Sequence, residues 1–244
     1  MKHAVITGGG SGLGYAIAAA FDAEGIGTTL LGRNLARLQE TVDKLDNASC
    51  LKLDVTHTEA VQSVFDQIGE VDILVNNAGV GPSSPFNRHS VDDWQNTFAV
   101  NVDGAFYCTQ AVINNMLERN TGRVINIAST SALKGYAYVA GYVASKHALL
   151  GLTRALATEY AGTGITFNAI CPGFAETELL TDSVNNIVAK TQRSIEEARG
   201  ILASNNPQGR FIQPAEVAAT ALWLISDAAH SITGQAISVS GGEI

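Results

Sequence analysis

The chain has 244 residues, 46% of them hydrophobic and 16% charged, with a formal net charge of −8. That length suits one large α/β domain better than two, and the hydrophobic content supplies a sizeable core, which excludes a disordered chain. The acidic balance argues against nucleic acid and anionic membranes as main partners, while leaving room for a local basic pocket.

The first apolar run, His3–Thr7, predicts a strand, and the glycine-rich stretch Thr7–Gly14 leads from it into a helix over Tyr15–Glu24. Strand Thr28–Leu31, helix Leu35–Leu45, strand Cys50–Leu53, helix Thr58–Ile68 and strand Ile73–Asn76 follow. One long helix is expected over Val91–Glu118, then strand Arg123–Ala128, helix Val143–Tyr160 and strand Thr166–Cys171. Phe174 to Phe211 has no strand pattern and two weak helical pieces, the second opened by a capping box at Ser194 and Glu197. Helix Ala215–Ser226, with Pro214 in its first turn, and strand Ala236–Val239 complete the chain. Several strands read as continuous apolar runs, as strands covered on both faces do. The expected fold is a single α/β domain over 1–244: a Rossmann-like, doubly wound parallel sheet with helices on both faces. The excursion at 174–211 is expected to be a substrate lid.

Cys50, Cys108 and Cys171 lie far apart, and no Cys/His pair has metal-ligand spacing, so neither a metal site nor a disulfide framework is expected. With no signal peptide before the first strand and no apolar run of membrane-spanning length, a cytoplasmic setting is expected.

Four groups of residues carry chemistry. In Thr7-Gly-Gly-Gly-Ser-Gly-Leu-Gly14 the glycines let backbone N–H groups approach a pyrophosphate, and the helix start favours its charge. Gly8, Ser11, Gly12, Leu13 and Gly14 are the candidates there, although a glycine turn without a ligand reads the same way. Tyr142 and Lys146 stand four apart on one helix face, where an ammonium would lower the phenol's pKa from about 10 and fit it for general acid–base work. Ser129 ends one strand and Asn76-Asn-Ala-Gly79 another, at the sheet edge where ligands bind, though both positions also suit turn residues.

Together these residues resemble the short-chain dehydrogenase/reductase family, from Lys2 to Ile244. The resemblance implies a nicotinamide cofactor held by the Thr7–Gly14 loop, by Asp54 and Val55, by Asn77, Ala78 and Gly79, and by Pro172, Gly173 and Thr177. It implies a catalytic Asn101, Ser129, Tyr142 and Lys146, with the family's thirteen-residue step from serine to tyrosine. Tyr142 would exchange a proton with the substrate oxygen and Lys146 would also hold the nicotinamide ribose. Ser129 would bond the substrate oxygen, and Asn101 would anchor a water leading toward Lys146.

Leu31-Gly32-Arg33-Asn34 has no carboxylate after the second strand, and Arg33 suits a 2′-phosphate, so NADP(H) is favoured with NAD(H) possible. Ser11 stands where many NADP-dependent relatives carry a second basic residue, and Arg33 also reads as a plain loop arginine. Ser240 replaces the family's usual aspartate and Phe167 a common valine, changes expected to affect packing.

Asn126–Thr130, Gly164–Asn168 and Gly209–Pro214 look like those of 3-oxoacyl thioester and polyketide ketoreductases. Lys190, Arg193, Arg199 and Arg210 would then meet the phosphates of a coenzyme A or acyl-carrier-protein arm, or else are solvated charges. Other readings are an alcohol, sugar or cyclic-ketone dehydrogenase, an NAD-linked hydroxyacyl-CoA dehydrogenase, and a non-catalytic nicotinamide-binding regulator. The last predicts loss of the serine, tyrosine or lysine, and all three are present. The resemblance also implies a homotetramer pairing the helices around Asn101–Glu118 and Val143–Tyr160, where Gly151 would permit close approach.

Overall fold

The structure is a computed structural model and describes residues 2–244. Seven parallel strands form one sheet: β1 (His3–Thr7), β2 (Gly27–Gly32), β3 (Ala48–Lys52), β4 (Ile73–Asn76), β5 (Gly122–Ile127), β6 (Ile165–Pro172) and β7 (Ala236–Val239). Their order is β3-β2-β1-β4-β5-β6-β7. The direction of winding reverses between β1 and β4, which opens a crevice at the carboxyl ends of those two strands.

The apolar runs of the strands serve two cores at once. Side chains alternate across a sheet, so Ala4, Ile6, Leu30, Val75, Ile125 and Ile170 face one layer. Val5, Leu31, Leu74, Val124 and Phe167 face the other. The first layer is closed by α1 (Gly12–Ala23), α2 (Leu35–Val42) and α9 (Pro214–Leu224) through Ile17, Phe21, Leu38 and Ala221. The second is closed by α3 (Thr58–Ile68), α5 (Gly104–Glu118) and α6 (Ala140–Glu159) through Phe65, Cys108, Val112 and Met116. Phe167 is fully buried and stacks on Tyr160, 5.7 Å between centroids, so its bulk goes into packing. Among the described residues no helix is long and apolar enough to cross a membrane.

The expected single helix Val91–Glu118 is interrupted. It divides into α4 (Val91–Phe98), a π-helical turn at Ala99–Asp103, and α5. Asn101, inside that turn, turns its amide onto the backbone of Val80, and Gly104 lets the helix press against Val55. A Cβ at Gly104 would come within 2.6 Å of Val55 Cγ2. Helical turns of this kind gather at functional sites.

The excursion after β6 contains α7 (Glu178–Thr191) and α8 (Ile195–Ala203), the latter opened by the expected Ser194/Glu197 capping box. Leu180, Val184, Ala198, Leu202 and Phe211 give it a small core of its own. Asn186 and Lys190 on α7 both bond to Ser83, so the excursion bridges to the loop after β4 across the crevice.

Candidate functional site

After β1 the chain turns through Gly8 and Gly12 with φ of 65° and 53°, left-handed values natural only to glycine. Gly14 is constrained by contact, since a Cβ there would lie 2.3 Å from Gly8 O. The loop runs into the first turn of α1, whose unbonded N–H groups and dipole favour an anion. Ser11 is the N-cap and makes no side-chain cap bond, while Leu13 packs inward on the core.

The β1 and β4 loops are stitched together behind this turn. Thr7 Oγ1 accepts from the Asn77 and Ala78 N–H groups at 3.0 Å each. Asn77 Nδ2 donates to Thr7 O at 2.9 Å and to Gly8 O at 3.0 Å. Beside them a cavity of about 150 Å³ is lined by Gly8, Arg33, Asp54, Val55, Ala78 and Gly79. Burial works against the charge of Asp54, but hydrogen bonds from Thr56 and the cations of Arg33 and His57 hold its carboxyl below the usual range. A glycine cradle, an anion-favouring helix start and an apolar slot with exposed Arg33 at its rim fit a dinucleotide.

Across the crevice, Ser129 follows β5 and caps a short 3-10 turn, its Oγ accepting from Ser131 N at 3.0 Å. Its hydroxyl faces the phenol of Tyr142, in the first turn of α6, and favours ionisation of that phenol. The Tyr142 ring lies on Gly81, where a Cβ would stand only 3.0 Å from it. Burial raises the Tyr142 phenol above its ordinary value, and the neighbouring Ser129 side chain opposes that shift.

This differs from the expectation that Lys146 lowers it. Lys146 Nζ donates to Ile127 O at 2.8 Å and lies 5.6 Å from the centroid of the Tyr142 ring. Lys146 is itself buried, and loss of hydration brings its ammonium down to about 8, against a smaller opposing effect of Cys171. The phenol is held neutral and the ammonium stands close to release of a proton.

Asn101 completes the group. Its Oδ1 accepts from Val80 N at 2.8 Å, and its Nδ2 donates to Val80 O at 2.9 Å and Ser145 Oγ at 3.0 Å. Ser145 donates in turn to Tyr142 O at 2.8 Å. A Cβ at Gly79 would lie 3.4 Å from Asn101 Oδ1 and 3.5 Å from Lys146 Nζ, so the three residues border one small space.

On the far wall Pro172 ends β6 and Gly173 N donates to Val239 O at 3.0 Å. Thr177 leans over the glycine turn, 3.3 Å from where a Cβ on Gly12 would be. The next residue, Glu178, pairs with Arg37, which also donates to Gly10 O at 3.2 Å, so the excursion is pinned to the turn. Of the four cations considered for a phosphate arm, Lys190 bonds Ser83 O, Arg199 pairs with Glu176 and Arg210 with Glu216. Cys171 is buried, which pushes its thiol up to about 11, and His147 bonds the Val143 carbonyl of its own helix.

The sequence reading missed Ser145 and Glu243, gave the Thr7 hydroxyl no role, and set Tyr136 aside because no lysine stands four residues on. Ser145 sits inside the Tyr142–Lys146 motif, three residues after the tyrosine, and was legible there. Glu243 was not, because its partner Tyr136 is 107 residues away.

Residues 2–187 match the family model for short chain dehydrogenases. A putative ketoacyl reductase of Streptomyces coelicolor is 38% identical over 98% of this chain and 95% of its own. A 3beta-hydroxysteroid dehydrogenase of Mediterraneibacter gnavus is 34% identical over 99% of this chain and 94% of its own. Among solved structures, an actinorhodin polyketide ketoreductase with NADPH superposes with a TM-score of 0.95 at 35% identity, covering 99% of this chain and 97% of that one. The fold, the crevice residues and these likenesses make one assignment: the chain belongs to the short-chain dehydrogenase family and is an NAD(P)-dependent oxidoreductase of carbonyl/alcohol pairs.

Proposed function

We propose that the chain is an NADP(H)-dependent reductase of 3-oxoacyl thioesters, with the substrate carried on coenzyme A or an acyl carrier protein. The observation that carries the chemistry is the convergence of Ser129, Tyr142, Lys146 and Asn101 on one side of the crevice. The likeness to ketoacyl reductases supports the substrate class.

Gly8, Ser11, Gly12 and Gly14, with the backbone at Leu13, hold the cofactor's pyrophosphate, and Asp54, Val55, Asn77, Ala78 and Gly79 border its adenosine half. Arg33 reads the 2′-phosphate, and Pro172, Gly173 and Thr177 hold the nicotinamide end. When bound, the cofactor supplies the hydride. Ser129 bonds the substrate oxygen as negative charge develops on it. Tyr142 gives that oxygen a proton, for which a phenol kept neutral by burial is the right form. Lys146 gains a partner in the nicotinamide ribose. The space bordered by Gly79, Asn101 and Lys146 takes a water that returns the proton.

The excursion at 174–211 covers the substrate, consistent with its bonds to Ser83 on the opposite bank. The enzyme works in the cytoplasm as a homotetramer with α5 and α6 at one interface. Phe106, 43% exposed on α5, and Gly151, with open space beside it on α6, support that face. A second reading, oxidation of a cyclic alcohol, is favoured by the likeness to a 3beta-hydroxysteroid dehydrogenase.

The deciding experiment measures NADPH and NADH oxidation by the purified protein on acetoacetyl-CoA and, separately, on cyclohexanone. NADPH-dependent turnover is expected. Turnover only of cyclic ketones, or only with NADH, would replace this reading with the second.

A further inference from the structure

A carboxylate from the end of the chain reaches back beside the reacting groups. Glu243 lies after β7, yet its side chain is only 2% exposed, and Oε1 receives both the phenol of Tyr136 and Lys134 Nζ, the latter at 2.9 Å. Its other oxygen, Oε2, is buried without any hydrogen-bond partner. Oε2 lies 3.2 Å from where a Cβ on Gly173 would stand, next to the segment assigned to the nicotinamide end.

Tyr136 occupies the site wall. It lies edge-on to Phe174, 6.2 Å between centroids, bonds Thr130 Oγ1 beside Ser129 at 2.7 Å, and is near enough to Tyr142 for ionisation of one phenol to oppose that of the other. A phenol has one proton. A carboxylate only accepts, so the Tyr136 proton is committed to Glu243 and the Thr130 hydroxyl must donate to the phenol oxygen. What Tyr136 has left to offer is a lone pair. Burial and the carboxylate both raise the phenol's pKa, which keeps that arrangement fixed at working pH. Lys134 lies over the same ring at 4.8 Å and balances Glu243, so the cluster is neutral and selects no ion. Its unfilled capacity, on Tyr136 and on Glu243 Oε2, is for a donor.

We propose that Tyr136, held by Glu243 and Lys134, is a specificity residue that accepts a hydrogen bond from a hydroxyl on the substrate near the reacting carbonyl. Hydroxylated ketones are then the preferred substrate class. The inference rests on the carbonyl-reductase reading and narrows it, because a plain 3-oxoacyl chain offers no donor there.

The test uses two matched pairs with NADPH: the N-acetylcysteamine thioesters of 3-oxohexanoate and 5-hydroxy-3-oxohexanoate, and cyclohexanone with 3-hydroxycyclohexanone. In whichever pair is turned over, the hydroxylated member should have a kcat/KM higher by about tenfold. Tyr136→Phe and Tyr136→Leu, neither of which offers an oxygen, should bring the kcat/KM ratio of the two members to about one. Equal kcat/KM within the pair, or an equal fall of both members in the variants, overturns the subsite. If only the cyclic pair reacts, the thioester reading fails and the subsite is judged on that pair. No turnover of any of the four overturns both.

Discussion

Asn101 grips the peptide unit of Val80 from both sides, Oδ1 accepting its N–H at 2.8 Å and Nδ2 donating to its C=O at 2.9 Å. The π-helical turn thereby fixes the loop after β4, on which Gly79 and Gly81 border Lys146 and Tyr142. Asn101→Ala leaves two backbone groups and Ser145 short of partners. A loss of about 1–3 kcal/mol in chemical denaturation is expected, with a fall in kcat. An unchanged denaturation midpoint would show that water replaces the amide.

Tyr142→Phe removes the proton donor and leaves the ring seated on Gly81. Turnover should fall by roughly 10²–10⁴-fold while NADPH affinity, followed by fluorescence, stays within about twofold. Retained turnover would remove Tyr142 from the chemistry.

Arg33→Ala tests the cofactor choice at the rim of the adenosine slot. A charge-assisted hydrogen bond to phosphate is worth about 1.5–3 kcal/mol, so the KM for NADPH should rise by roughly tenfold or more while that for NADH does not change. A rise of both alike would assign Arg33 to the loop's structure.

The depressed pKa of Lys146, about 8 in the folded protein without cofactor, has a thermodynamic consequence. Between that value and the ordinary lysine value of 10.5, the unfolded chain binds more protons at this site than the folded one. This site therefore adds stability as pH rises. The cysteines and Tyr142, whose values are raised, act in the opposite sense at higher pH, so the comparison must be with Lys146→Met. From pH 8 to 9 the wild type should gain about 1 kcal/mol on the variant. A constant difference would mean that Lys146 titrates normally.

Gly14→Ala tests the cradle. A Cβ would overlap Gly8 O, so the turn must open. Loss of NADPH binding by tenfold or more is expected, at roughly the scale of one phosphate contact. Unchanged calorimetric affinity would show that the turn yields without cost.

Much of this architecture was legible because it depends on local chemistry. Apolar runs marked every strand to within two residues, and Thr7–Gly14 announced a glycine turn. The Ser194/Glu197 box and Pro214 marked the starts of their helices. The break at Ala99–Asp103 was illegible, since the modest helix propensity of Val-Asn-Val-Asp-Gly weakens a helix without specifying a wider turn. It exists because Asn101 reaches Val80, a contact 21 residues away. The Tyr142 phenol is shifted the other way from the expectation because burial, which helix spacing does not report, raises it.

That π-helical turn also sets a phase. An α-helix advances about 100° per residue, so by taking up a surplus residue the turn at Ala99–Asp103 holds α5 back by about that angle from where a regular helix of the same sequence would place it. Cys108, Val112 and Met116 face the sheet in consequence. Winding the same residues as a regular helix, without the wider turn, would swing that stripe by about 100° away from the sheet, whereas deleting one residue would leave it facing the sheet. The wider turn therefore lets the chain carry the residue that grips Val80 without turning the α5 stripe, so a one-residue gap there should cost the Asn101 contact rather than the packing of α5.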